Sequence, residues 1–189
     1  MISRKNAFYA QSGGVTSVIN ASACGVIETA NKSKKINKVL CGQNGILGAL
    51  NENLIDSSKE TKSTISKLKN TPGGAFGSCR FKLQDPVKQK AEYARLFEVF
   101  SAHNIGYFFY NGGGDSQDTT YKVSKMAKEL KFPIQCIGIP KTVDNDLPFT
   151  DCSPGFGSDA KYVANSTLEA GLDVKSMSKT STKVFILEV

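Results

Sequence analysis

Apolar positions along the chain switch repeatedly between a period of two and a period near 3.6, and glycine-rich polar turns separate the segments. Residues 6–10 read as a short strand, 11–16 as a turn and 17–30 as a helix with apolar positions at helical spacing. A second strand is expected at 38–41, followed by a loop marked by Gly42 and Gly45 and a Ser- and Lys-rich stretch at 51–70 that is partly helical. After the loop of Pro72, Gly73, Gly74 and Gly77, residues 86–102 have the proline entry and apolar periodicity of an amphipathic helix. The clearest pattern follows: a buried strand at 105–110, a loop at 111–115, a helix at 117–130 and a strand at 134–139. Residues 140–157 form a loop long enough to suggest function, and a helix at about 159–172 and an apolar strand at 183–189 complete the series.

Strands alternating with helices predict an α/β domain: a doubly wound, mostly parallel sheet covered on both faces. In such sheets ligands lie outside the carboxyl ends of the strands. A length of 189 residues suits one large domain, and no repeat or low-complexity segment divides it. No segment approaches the roughly 18 apolar residues of a membrane span. The stretch from Met1 to Gly14 lacks the hydrophobic region of a signal peptide, so a cytoplasmic protein is expected.

The five cysteines form no CxxC pair and have no histidine at ligand spacing, which argues against zinc and for buried free thiols. The single histidine, His103, lies near a predicted helix end, where a surface or capping role suits it better than catalysis. The net charge of +7 would suit a nucleic-acid partner. Its excess, however, sits in short lysine clusters at 32–38 and 59–69, without interleaved aromatics or a DNA-binding motif. No nucleic acid is therefore expected, whereas a modest positive field suits small phosphorylated substrates.

Three loops carry candidate chemistry. Ser12-Gly13-Gly14 stands between a strand and a helix, where backbone amides can approach an anion; glycine is also the default for any tight turn. Asn111-Gly112-Gly113-Gly114-Asp115-Ser116 repeats that setting and adds a carboxylate and a hydroxyl, which could serve a cation and a phosphate chain or merely cap the helix. Pro140-Lys141-Thr142-Val143-Asp144-Asn145-Asp146 is the most specific. It offers an ammonium for phosphate charge, a hydroxyl donor, a candidate base and a candidate metal partner on one loop.

Together with Asn20, Gly73-Gly74, Gly77-Ser78-Cys79-Arg80 and Pro154-Gly155-Phe156-Gly157-Ser158, these motifs resemble the phosphofructokinase family, in family order and over nearly the whole chain. The resemblance implies the phosphofructokinase variant of the Rossmann-like sheet, with residues 1–189 as an amino-terminal donor-binding and catalytic domain that stops before the sugar-binding domain is complete. It implies that Asp144 is the general base toward the 1-hydroxyl of fructose 6-phosphate. Thr142, Val143 and Asp146 support the sugar site, and Lys183 stands near a position that reaches a neighbouring subunit's sugar phosphate. Gly14, Arg80, Gly113 and Ser116 fall on the donor side.

ATP-using members carry glycine at the positions of Asp115 and Lys141, whereas pyrophosphate users carry an acid and a lysine. The resemblance therefore implies pyrophosphate as donor and gives Asp115 and Lys141 catalytic and donor-binding roles. Mg²⁺ is the implied cofactor and Asp115 its expected ligand, since Gly114 stands where the family commonly places a metal-binding aspartate. A homodimer or homotetramer is implied as well. ATP-dependent phosphofructokinase and an inactive donor-binding fragment remain as alternatives, and the first glycine turn lacks the spacing of a dinucleotide fingerprint.

Overall fold

The computed structural model describes residues 4–189; Met1, Ile2 and Ser3, which belong to the amino-terminal stretch read above, lie outside the described residues. Strand β1 (Lys5–Gln11) runs through the middle of a five-stranded sheet, with β2 (Ile36–Gly42) and β3 (Leu54–Asp56) on one side and β4 (Ile105–Gly112) and β5 (Gln135–Pro140) on the other. The order is β3-β2-β1-β4-β5, parallel throughout except for the β2–β3 pair. The chain leaves β1 toward one edge and later returns to β4 on the opposite side. A crevice opens where connections diverge in this way.

Ala7 through Ala10 are all fully buried, as a central strand covered on both faces requires. Their side chains alternate. Ala7 and Tyr9 pack with Ala23, Cys24, Ile27 and Ala30 of helix α1 (Ile19–Lys32) and with Ile65 of the short helix α3 (Lys62–Lys67). Phe8 and Ala10 face the opposite layer. It is built from α2 (Ile46–Leu50), α4 (Lys90–Ala102) and α5 (Gly114–Glu129), and the ring centroids of Phe100 in α4 and of Phe108 in β4 lie within 5.8 Å of that of Phe8. Helices thus cover both faces, as expected.

Several boundaries differ from the sequence reading for local reasons. The antiparallel β3 and the five-residue α2 are too short to leave a periodic signal. Pro86 does not start a helix; Asp85 instead closes a turn, accepting from Val87 N at 2.8 Å, and α4 begins at Lys90. Helix α5 begins at Gly114, three residues earlier than expected, which places Asp115 and Ser116 in its first turn rather than in the loop. Helix α6 spans Phe156–Met177 and buries none of its residues.

The strand expected at 183–189 does not form: residues 182–189 have no regular secondary structure and are exposed. An apolar run becomes a strand only beside a neighbour that takes its backbone hydrogen bonds, and none of the described residues does so. Of the expected buried thiols, Cys24 and Cys41 are buried and Cys152 is exposed.

Candidate active site

Strands β1 and β4 pair up to Gln11 opposite Asn111, and β4 and β5 up to Gly112 opposite Pro140. The three candidate loops therefore leave the sheet side by side. They line a cleft of about 510 Å³ that contains Gly14, Arg80, Gly113, Asp115, Ser116, Lys141, Thr142, Val143, Asp144 and Asp146. Of the residues nominated from sequence, Lys183 alone is outside this lining, on the exposed tail.

The floor is the Ser12–Gly14 turn. Gly13 adopts a left-handed φ of +76°, which a side chain would strain. Its N–H donates to the Cys79 carbonyl at 2.9 Å, and the Ser78 hydroxyl donates to its carbonyl at 2.6 Å. These bonds lock the turn to the segment that delivers Arg80. Behind it, Asn20 is 1% exposed and binds the loop at 71–75 through Thr71, Gly73 and Ala75 while accepting from Gln11.

Arg80 and Lys141 approach this turn together. A β-carbon on Gly14 would lie 3.6 Å from an Arg80 guanidinium nitrogen, and one on Gly13 would lie 3.6 Å from Lys141 Nζ. Lys141 is only 6% exposed. Burial holds its pKa below the usual lysine value, the Arg80 charge adds to that effect, and Asp144 opposes it. Two neighbouring cations above a glycine turn make an anion site.

A second element points at the same space. Helix α5 starts from Gly113 with no side chain capping it, so its amino-terminal dipole faces the cleft. Asp115 in that first turn accepts from Lys82 Nζ at 2.6 Å.

The third loop is pinned at both ends. Lys141 N donates to the Gly112 carbonyl at 3.1 Å and Thr142 N to the Pro154 carbonyl at 3.0 Å. Asn145, at φ +53°, accepts from Ser153 N at 2.8 Å and closes the loop. Asp144 N donates to the Thr142 hydroxyl oxygen at 3.1 Å, which leaves that hydroxyl's proton free for a ligand. The Asp144 side chain is exposed to the cleft.

Residues 6–189 match the phosphofructokinase family. The chain belongs to that family. The pyrophosphate–fructose 6-phosphate 1-phosphotransferase of Halomonas elongata is 62% identical over 189 residues, which is all of this chain and 45% of the relative. A crystal structure of pyrophosphate-dependent phosphofructokinase from Marinobacter aquaeolei superposes with a TM-score of 0.86 at 70% identity, covering 98% of this chain and 45% of that one. Another, from Nitrosospira multiformis, gives 0.85 at 65% identity over 94% and 44%. The chain thus spans less than half the length of these phosphofructokinases.

Sequence reasoning missed Lys82, Thr16 and Thr119 among the residues lining the phosphofructokinase cleft. Nothing distinguishes Lys82 from other surface lysines until the fold brings it to Asp115. For a divalent cation, the described residues offer no cluster of three or more His, Cys, Asp or Glu side chains. The separate carboxylates of Asp115, Asp144 and Asp146 fit instead a hard ion held by one or two protein oxygens and completed by phosphate oxygens.

Proposed function

We propose that this chain is the donor-binding and catalytic part of a pyrophosphate-dependent phosphofructokinase. In the full-length enzyme it transfers a phosphoryl group from pyrophosphate to the 1-hydroxyl of fructose 6-phosphate, giving fructose 1,6-bisphosphate and phosphate. The observation that carries this reading is the convergence of Arg80 and Lys141 on the Gly13–Gly14 turn, opposite the uncapped start of α5.

Pyrophosphate lies between these groups, with Gly14, Gly113 and Ser116 approaching its oxygens and Arg80 and Lys141 neutralising them. Asp144 accepts the proton of the sugar 1-hydroxyl as the phosphoryl group arrives. Thr142 donates its free hydroxyl proton to the sugar, while Val143 and Asp146 shape the pocket around it. Lys141 is held against the departing phosphate, so catalysis is positioning and charge stabilisation. Asp115 would hold Mg²⁺, which when bound would neutralise part of the charge on the donor. The Asp115 side chain also occupies space at the start of α5 that the longer phosphate chain of ATP would need.

Lys183 completes the sugar-phosphate site of a neighbouring subunit in a cytoplasmic homodimer or homotetramer. All five cysteines are free, in keeping with a reducing compartment. Incubating the full-length protein with fructose 6-phosphate, Mg²⁺ and either donor tests the reading. Product with pyrophosphate is expected, and its loss on combining Asp115→Gly with Lys141→Gly; turnover with ATP alone would overturn it.

A further inference from the structure

Lys82 has no part in the chemistry above, yet it lines the same cleft two residues beyond Arg80. Its ammonium meets Asp115 Oδ1 at 2.6 Å. The partners come from different elements, the segment after Arg80 and the first turn of α5, so the ion pair links two parts of the cleft lining. The hydrogen bond to Asp115 and that residue's charge hold the Lys82 pKa above the usual lysine value.

Both side chains are largely exposed, 53% for Lys82 and 73% for Asp115. An exposed pair of this kind contributes little to stability, so competitors displace it readily. A carboxylate at the first turn of a helix would otherwise repel an incoming diphosphate from a site the helix dipole favours. Lys82 cancels that charge. A divalent ion travelling with the diphosphate is a stronger partner for Asp115 than an ammonium. Once it holds the carboxylate, Lys82 is left with a free charge on a flexible stem beside the phosphate oxygens.

We propose that Lys82 is a donor-positioning residue that exchanges partners. It pairs with Asp115 before pyrophosphate enters and turns onto a pyrophosphate oxygen when the cation takes the carboxylate. This inference rests on the pyrophosphate reading above.

The test is calorimetric titration of the full-length protein with methylenediphosphonate, a non-hydrolysable diphosphate, with and without Mg²⁺. Wild type, Lys82→Gln, Asp115→Asn and the double variant are compared. Lys82→Gln is expected to weaken binding with Mg²⁺ by about tenfold. Asp115→Asn frees Lys82 and is expected to tighten metal-free binding, a gain the double variant loses. Unchanged binding by Lys82→Gln, or a double variant that keeps the gain, would overturn the role of Lys82 alone. Absence of binding by the wild type would overturn the pyrophosphate reading and the Lys82 role with it. Both side chains are exposed, so equal melting temperatures are expected for all four proteins.

Discussion

The side-chain amide of Asn20 donates to the carbonyls of both Thr71 and Gly73, each at 2.8 Å. One buried residue at the start of α1 therefore holds the loop that runs on to Arg80. Its oxygen accepts from Ala75 N and Gln11 Nε2 at 2.9 Å, so the same side chain joins that loop to the end of the central strand.

Asn20→Ala should leave several of these buried partners unmatched and cost about 2–4 kcal/mol, which chemical denaturation would measure. Because the loop positions Arg80, the variant of the full-length enzyme should also raise the KM for pyrophosphate more than that for fructose 6-phosphate. Equal changes in the two constants would show that Asn20 has no directional role.

If Lys141 binds the donor as proposed, affinity for it should depend on pH. Its pKa is lowered by burial and by Arg80, so the folded protein releases this proton at a lower pH than an unfolded lysine does. In the proposed site pyrophosphate pairs with the ammonium form, so its dissociation constant should rise as pH increases through the lowered pKa. Lys141→Arg should carry the affinity to higher pH, as followed by titration across the alkaline range. Stability has the opposite sign. Between the folded and unfolded pKa values the unfolded chain binds more protons, so this group's contribution to stability increases with pH.

In the proposed reaction Asp144 is the proton acceptor, and Asp144→Asn would remove that function while keeping the size of the side chain. In the full-length enzyme kcat should fall by about 10²–10⁴-fold, with little change in the KM for either substrate. Steady-state kinetics at saturating pyrophosphate would show it, and an undiminished kcat would remove Asp144 from the mechanism.

Much of this arrangement is legible in the amino-acid pattern. The runs around Phe8 and Phe108, each followed by glycines, announce strands ending in turns, and the Lys141–Asp146 segment carries its chemistry in its residue types. What was missed depends on distant partners. The Lys82–Asp115 pair joins residues 33 positions apart and has no local signature. Leu54–Asp56 becomes a strand because Leu40–Gly42 stands beside it in antiparallel register. The converse case is Val184 to Val189, whose apolar composition suggests a strand although no described neighbour pairs with it. Composition reports what a segment can become, and the adjoining backbone decides whether it does.

Gln11 and Asn111 lie opposite each other at the ends of two parallel strands, so both glycine turns spring from one rung of the ladder. Strand registry advances in whole residues, and a single step would swap the inward and outward faces that Phe8 and Tyr9 occupy. The spacing between the two turns is thus quantised, with no intermediate setting for a larger or smaller ligand to select. A descendant of this protein could come to hold a different ligand by exchanging side chains along a fixed rim, while the scaffold beneath stayed as it is.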